Sequence, residues 1–181
     1  MHQLHRFLID YDMPMLRALA QNRGAKLSTN RRAEAADELA GLLLDPLSVR
    51  TALARISPEG REALEALQSA GGRMRVPRFS RRFGQVRPVG PGRLERESPW
   101  QDPASPAEEL WYAALIFRAF DQDEGGPGEF VFIPDDLRPL LPWPQVDAVP
   151  FTVDAVPPPA GRAGDEMALV RDLYALSLIH I

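Results

Sequence analysis

The run Ser105-Pro106-Ala107-Glu108-Glu109-Leu110-Trp111 and the run Glu129-Phe130-Val131-Phe132-Ile133 lie eighteen residues apart, and the passage from one to the other decides the fold. Ser105 is placed to cap free backbone N–H groups, Pro106 presets a helical φ without wasting a donor, and Glu108 completes a capping box. The apolar positions Leu110, Ala113, Ala114 and Phe117, beside Trp111 and Leu115, predict an amphipathic helix. Residues 116–120 and 129–133 are rich in β-branched and aromatic side chains and predict two strands. Between them Asp121-Gln122-Asp123-Glu124-Gly125-Gly126-Pro127-Gly128 favours neither element, so a hairpin with a mobile tip is expected. Pro134 ends the second strand, and 135–141 makes at most a short helical turn.

Upstream, Asp45-Pro46 and Ser57-Pro58 repeat the cap-then-proline signal. Val49, Ala52, Leu53 and Ile56 follow the first, and Ala63, Leu64, Leu67 and Ala70 follow the second, each at helical spacing. Gly71-Gly72 closes the second helix. Residues 73–76 read as a short strand, 77–83 as a turn of helix, and the stretch up to Ser105 as a long arginine-bearing loop bent at Gly90-Pro91-Gly92. Nearer the N-terminus, helical patterns at 13–22 and 31–44 flank a polar stretch from Arg23 to Asn30. Two such short helices bury little alone and are expected to lean on Leu4, Phe7 and Leu8. Residues 142–164, with Pro157-Pro158-Pro159, read as a semi-rigid linker, and 165–176 as an amphipathic helix with nothing left to pack against. The chain therefore reads as the front of a longer protein, and 177–181 as a non-native end.

Composition narrows the function. No apolar run approaches the roughly 20 residues a membrane helix needs, no secretory signal pattern opens the chain, and the expectation is a cytoplasmic protein without membrane attachment. The absence of cysteine excludes a thiol nucleophile and every cysteine-ligated metal. The net charge of −4 conceals a segregation: residues 73–96 carry eight arginines against Glu95 alone, and residues 97–181 carry four basic against fifteen acidic side chains. A positive band of this kind in an acidic protein faces phosphate or an acidic partner, or is simply a solvated loop.

Helix, strand, helical turn, loop, helix and hairpin is the order of a winged helix, and the helix–extended–helix before it resembles a SAP-type module. The fold class expected is mainly α with a small β-hairpin, divided into a SAP-like module (1–44), a winged-helix domain (45–141), a linker (142–164) and the start of a further domain (165–181). Taken together, residues 10–141 resemble the helicase-associated N-terminal region of XPB-type helicases and their stand-alone prokaryotic relatives. The segments that carry the resemblance are Tyr11-Asp12-Met13-Pro14-Met15-Leu16, Leu44-Asp45-Pro46, Leu53-Ala54-Arg55-Ile56-Ser57-Pro58, Gly71-Gly72, Arg82-Phe83-Gly84, the Ser105 run, and Phe132-Ile133-Pro134-Asp135-Asp136. The resemblance implies a DNA-associated role in transcription or repair, with a helicase or transcription-machinery protein as a partner. No Gly-x-x-x-x-Gly-Lys-Ser/Thr loop is present, so a helicase motor is not expected in this chain.

Two binding roles compete. In the first, Arg73, Arg75, Arg78, Arg81, Arg82 and Arg87 grip DNA backbone without reading sequence. Lys26, Arg31 and Arg32 join them, lying where SAP-type modules carry basic residues. About five contacts would give a salt slope of about −4 to −5. Base reading by the third helix is not expected, because its first turn offers Glu108 and Glu109, and the acidic hairpin tip from Asp121 to Glu124 speaks against the usual wing contact to DNA. In the second, the chain is a protein-interaction module of a transcription or repair assembly, using the acidic wing and third helix on one side and the arginine band on another. An enzyme has little support, and no cofactor is expected. His2 and His5 have ligand spacing but no third ligand near, Asp135-Asp136 reads as a capped turn, and Gly90-Pro91-Gly92 lacks the context of a nucleotide loop. Trp111 reads as core, with Trp100 and Trp143 clamping the loop and the linker.

Overall fold

The computed structural model describes residues 3–142. The expected linker beyond Pro142, the helix at 165–176, the segment 177–181, His2 and Trp143 lie outside the described residues. Eight α-helices and a small three-stranded antiparallel sheet make up the described part, which is therefore mainly helical with a small sheet. The order is α1 (Gln3–Leu8), α2 (Met13–Asn22), α3 (Arg32–Leu43), α4 (Pro46–Arg55), α5 (Pro58–Ser69), β1 (Arg73–Arg75), α6 (Val76–Phe83), α7 (Pro91–Glu97), α8 (Pro106–Tyr112), β2 (Phe117–Asp123) and β3 (Gly126–Phe132). The strands lie in the order β1-β3-β2.

The cap signals form as chemistry dictates. Asp12, Asp45, Ser57 and Ser105 each accept a backbone N–H with the side chain, and a proline follows within the first two helical positions. Buried leucines and alanines from Leu4 to Leu141 form one continuous cluster. α1 reaches the sheet from the far end of the chain: the Phe7 ring stacks on Phe117 at 5.3 Å and leans on Phe132 at 6.3 Å. Its backbone is tied there too, since Leu4 N–H donates to the Asp136 carboxylate at 2.8 Å and Asp135 N–H to Gln3 Oε1 at 2.6 Å. Asp135 and Asp136 thus anchor a helix and precede a 3-10 turn, Arg138–Leu140. His5 Nε2 sits 2.9 Å from Asp37 Oδ1.

Three expectations are corrected. The helix after Ser105 stops at Tyr112, and Ala114 takes a left-handed φ of 51°, so Phe117 belongs to β2 and not to the helix face. The hairpin tip is not a loose eight-residue segment: β2 and β3 pair as far as Asp123↔Gly126, joined by Glu124-Gly125 alone. A two-residue connection of this kind suits glycine, and Gly126 next to it has a φ of 89°. The arginine loop is not loop throughout. Gly90 caps α7, Pro91 begins it, and Leu94 is buried as α7 packs along α2.

Arg23, at the C-terminus of α2, links three elements. Its Nε donates to the carbonyl of Ala113 at 2.9 Å and its Nη1 to the carbonyl of Ser48 at 2.8 Å. Burial pushes its pKa down to about 10, which leaves it charged at neutral pH.

Candidate nucleic-acid interface

The arginine band is held by β1 and α6, which follow one another without a linker. In β1, Arg73 and Arg75 alternate onto one face of the sheet, and the register with β3 and β2 puts Asp121 and Asp123 on the same face. Arg73 Nη1 pairs with Asp121 Oδ2 at 2.5 Å. Arg75 grips both oxygens of Asp123 and also donates to the carbonyl of Gly126 at 2.7 Å, which holds the hairpin tip. Both guanidinium groups lie 5.3 Å from the centre of the Phe130 ring. The hydrogen bonds from Arg75 hold the Asp123 carboxyl down at about 2, helped by the N–H of Gly125 and opposed by desolvation. Reciprocally, Asp123 pushes the Arg75 pKa up.

Helix α6 carries the next three. Its apolar side buries Phe79 and Phe83, whose rings meet at 5.1 Å, and leaves Arg78, Arg81 and Arg82 exposed. Arg82 pairs with Glu62 at 2.5 Å and lies over the Phe83 ring. Arg78 and Arg81 make no ion pair among the described residues. Arg87 follows in the loop after α6 and pairs with Glu108.

The expected exposed acidic turn on α8 is absent. Glu108 is fully buried and accepts from Arg87 and from the N–H of Ala104, while both oxygens of Glu109 are taken by the N–H and Oγ of Ser57, at 2.8 and 2.6 Å. The two carboxylates that had spoken against anion binding on this helix are consumed inside the fold.

The remaining predicted residues stand on the α2–α3 connection and at the start of α3. Arg31 pairs with Glu34 at 2.9 Å, Arg32 is exposed, and Lys26 lines a separate hollow with Arg17, Gln21 and Asn30. Trp100 packs edge-on to Tyr112 at 6.4 Å, consistent with a clamp on the loop. Trp111 is half-buried, with Arg118 over its ring at 5.5 Å and the Tyr11 ring at 5.8 Å. Arg118 was not singled out by the sequence, where it reads as one charge inside a strand. Its position shows only once β2 is placed beside α8.

Between α6, the following loop, α8 and β2 runs a groove of about 780 Å³. Arg81, Arg87 and Arg118 line it, and no Asp or Glu does so among the described residues. Comparison of the chain with protein-family models, with curated proteins and with solved structures gives no match.

Proposed function

We propose that the chain is a non-enzymatic binding module that contacts DNA backbone without reading sequence, through the exposed side of α6. The observation that carries this reading is the clustering of Arg78, Arg81 and Arg82 on one helix surface, with the first two in no ion pair among the described residues. The order α5-β1-α6-α7-α8-β2-β3, in which α7 is an extra helix between the second and third of the winged-helix pattern, and the strand order β1-β3-β2 support the winged-helix assignment of residues 45–141. The SAP-like assignment of 1–44 and the kinship with the XPB-type N-terminal region are proposals on the sequence segments given above. With them come a role in transcription or repair, a helicase or transcription-machinery partner and a cytoplasmic location.

Arg73, Arg75, Arg82 and Arg87 are bound to the chain's own carboxylates, so a phosphate has to compete for them. The contact number therefore falls from about five to about two, and the slope of log K against log salt becomes about −2. A gel-shift series with a mixed-sequence duplex between low and moderate salt tests this. Arg78→Glu with Arg81→Glu should abolish the shift. A chain that shifts no duplex at low salt, or shifts it with a flat salt response, refutes the reading.

A second reading, a protein-interaction module, is favoured by one observation: the groove beside α6 sets the aliphatic side chains of Met15, Val76, Val86 and Val89, which phosphate does not use, among its arginines.

A further inference from the structure

We propose that the groove between α6 and β2 is a docking site for a short peptide segment that combines acidic with aliphatic or aromatic side chains. The proposal rests on the second reading above and gives it a place and a partner class.

Three observations fix the chemistry. The first is charge. Among the described residues Arg81 is exposed and makes no ion pair, and Arg118 has its nearest carboxylate, Glu129, at 4.0 Å, the limit of an ion pair. Arg87 spends Nε and Nη2 on Glu108 but keeps about half of its side chain exposed. With no acidic side chain lining the groove among the described residues, its field favours carboxylates.

The second is shape and polarity. Met15, Val76, Val86 and Val89 line the groove half-buried, and they pack at the edge of the core without being enclosed by it. The volume of about 780 Å³ falls within the range of built ligand sites and leaves room for a few side chains. The surface continues along β2. Phe120 stands two residues from Arg118, on the same face of the strand, and is 84% exposed. Since β2 is an edge strand, nothing in the sheet lies beyond it.

The third observation separates peptide from nucleic acid. Stacking successive bases needs several free aromatic faces, and Phe120, outside the groove, offers one. Of the groove's two aromatic residues, Tyr112 is 1% exposed, and the Trp111 ring already carries Arg118 and the Tyr11 ring. A base would have to displace Arg118, whereas aliphatic or aromatic side chains of a peptide find the valines open. Guanidinium groups beside aliphatic walls suit carboxylates carried on an apolar chain.

Selection of a phage-displayed library of short random peptides on the full chain tests the proposal. Enriched sequences should combine Asp or Glu with Leu, Val, Ile or Phe. A fluorescein-labelled consensus peptide, followed by anisotropy, should bind about tenfold more weakly to Arg81→Glu and to Val86→Ser. Both variants should keep the wild-type circular dichroism and urea midpoint; if either unfolds, Phe120→Ser and Arg81→Gln take its place. Enriched peptides whose affinity ignores these substitutions, or that lack acidic residues, overturn the groove while leaving the protein-interaction reading standing. A library that enriches nothing overturns both. A single-stranded oligonucleotide that binds the wild type and is lost in both variants, with no peptide enriched, assigns the groove to nucleic acid and likewise overturns the proposal. The gel-shift series on α6 is judged separately.

Discussion

The carboxylate of Glu108, fully buried in the first turn of α8, accepts the side chain of Arg87 from the loop after α6, with Nε at 2.9 Å from each oxygen and Nη2 at 2.7 Å. The N–H of Ala104 donates to it at 2.6 Å and the N–H of Arg87 at 3.2 Å. One carboxylate therefore fastens two loops to the start of a helix, where the helix dipole also favours a negative charge. It also brings Arg87 to the groove.

Removing that carboxylate leaves backbone donors unsatisfied in the interior. Glu108→Ala is expected to lower the unfolding free energy by about 2 to 4 kcal/mol, read from urea denaturation. Glu108→Gln keeps one acceptor but sets an amide N–H₂ against the guanidinium, and should fall between the wild type and Ala. A loss below about 0.5 kcal/mol for Ala would show that the loops are held by other contacts.

Two helical glycines should respond to alanine with opposite signs. Gly41 lies exposed in α3, and an added Cβ meets nothing within 4 Å. Gly41→Ala should therefore stabilise by about 0.5 to 1 kcal/mol. At Gly60, in the first turn of α5, the Cβ would lie 2.4 Å from Glu109 Oε2, the atom that accepts the Ser57 hydroxyl. Gly60→Ala has to displace that carboxylate from the cap and should destabilise by about 1 kcal/mol. Thermal midpoints moving in the same direction for both would refute the steric account.

What the sequence made legible, and what it did not, divides along local and non-local chemistry. The caps at Asp45, Ser57 and Ser105 are bonds between residues three apart, and they lie in the sequence as they lie in the fold. The end of α8 was missed because Ala113-Ala114-Leu115 is a good helical sequence. The strand expected from residue 116 was legible, but the left-handed Ala114 and the pairing of Phe117 with Phe132 fix where the helix gives way to it. The arginine band was visible as charge, but its partners Glu62, Glu108, Asp121 and Asp123 lie between 20 and 48 residues away. One signal could have found part of this: Arg73 and Arg75 alternate, as do Asp121 and Asp123, so two strands of one sheet were set to match charges in pairs. The groove had no such signal, since its walls come from α2, α6, α8, β2 and a loop.

Phe117 and Phe120 separate stability from function on a single strand. Phe117 is 1% exposed and stacked on Phe7, so Phe117→Ala should cost about 3 to 5 kcal/mol. Phe120 is exposed, and Phe120→Ser should change stability by no more than about 0.5 kcal/mol. Denaturant midpoints for the two variants check this directly. A large loss at Phe120 would mean that the residue is covered in solution.

The Arg75–Asp123 pair makes the hairpin tip sensitive to acid. The Asp123 carboxyl is held at about 2, below its ordinary value of 3.8, chiefly by the hydrogen bonds from Arg75. For a carboxylate with a depressed folded pKa, the contribution to stability is fully present above the unfolded value and is lost as pH falls through the folded one. The window here runs from about pH 4 down to about pH 2. Hydrogen exchange at Gly125, whose N–H donates to the Asp123 Oδ1 atom, should therefore stay slow, beyond its ordinary pH dependence, until the lower end of that window. Asp123→Asn should make that exchange fast at neutral pH already and remove its acid dependence. An Asp123 carboxyl that titrates near 4 by NMR, with Gly125 unprotected throughout, would mean that Arg75 does not clamp the tip in solution, and the mobile hairpin expected from the sequence would be the better description.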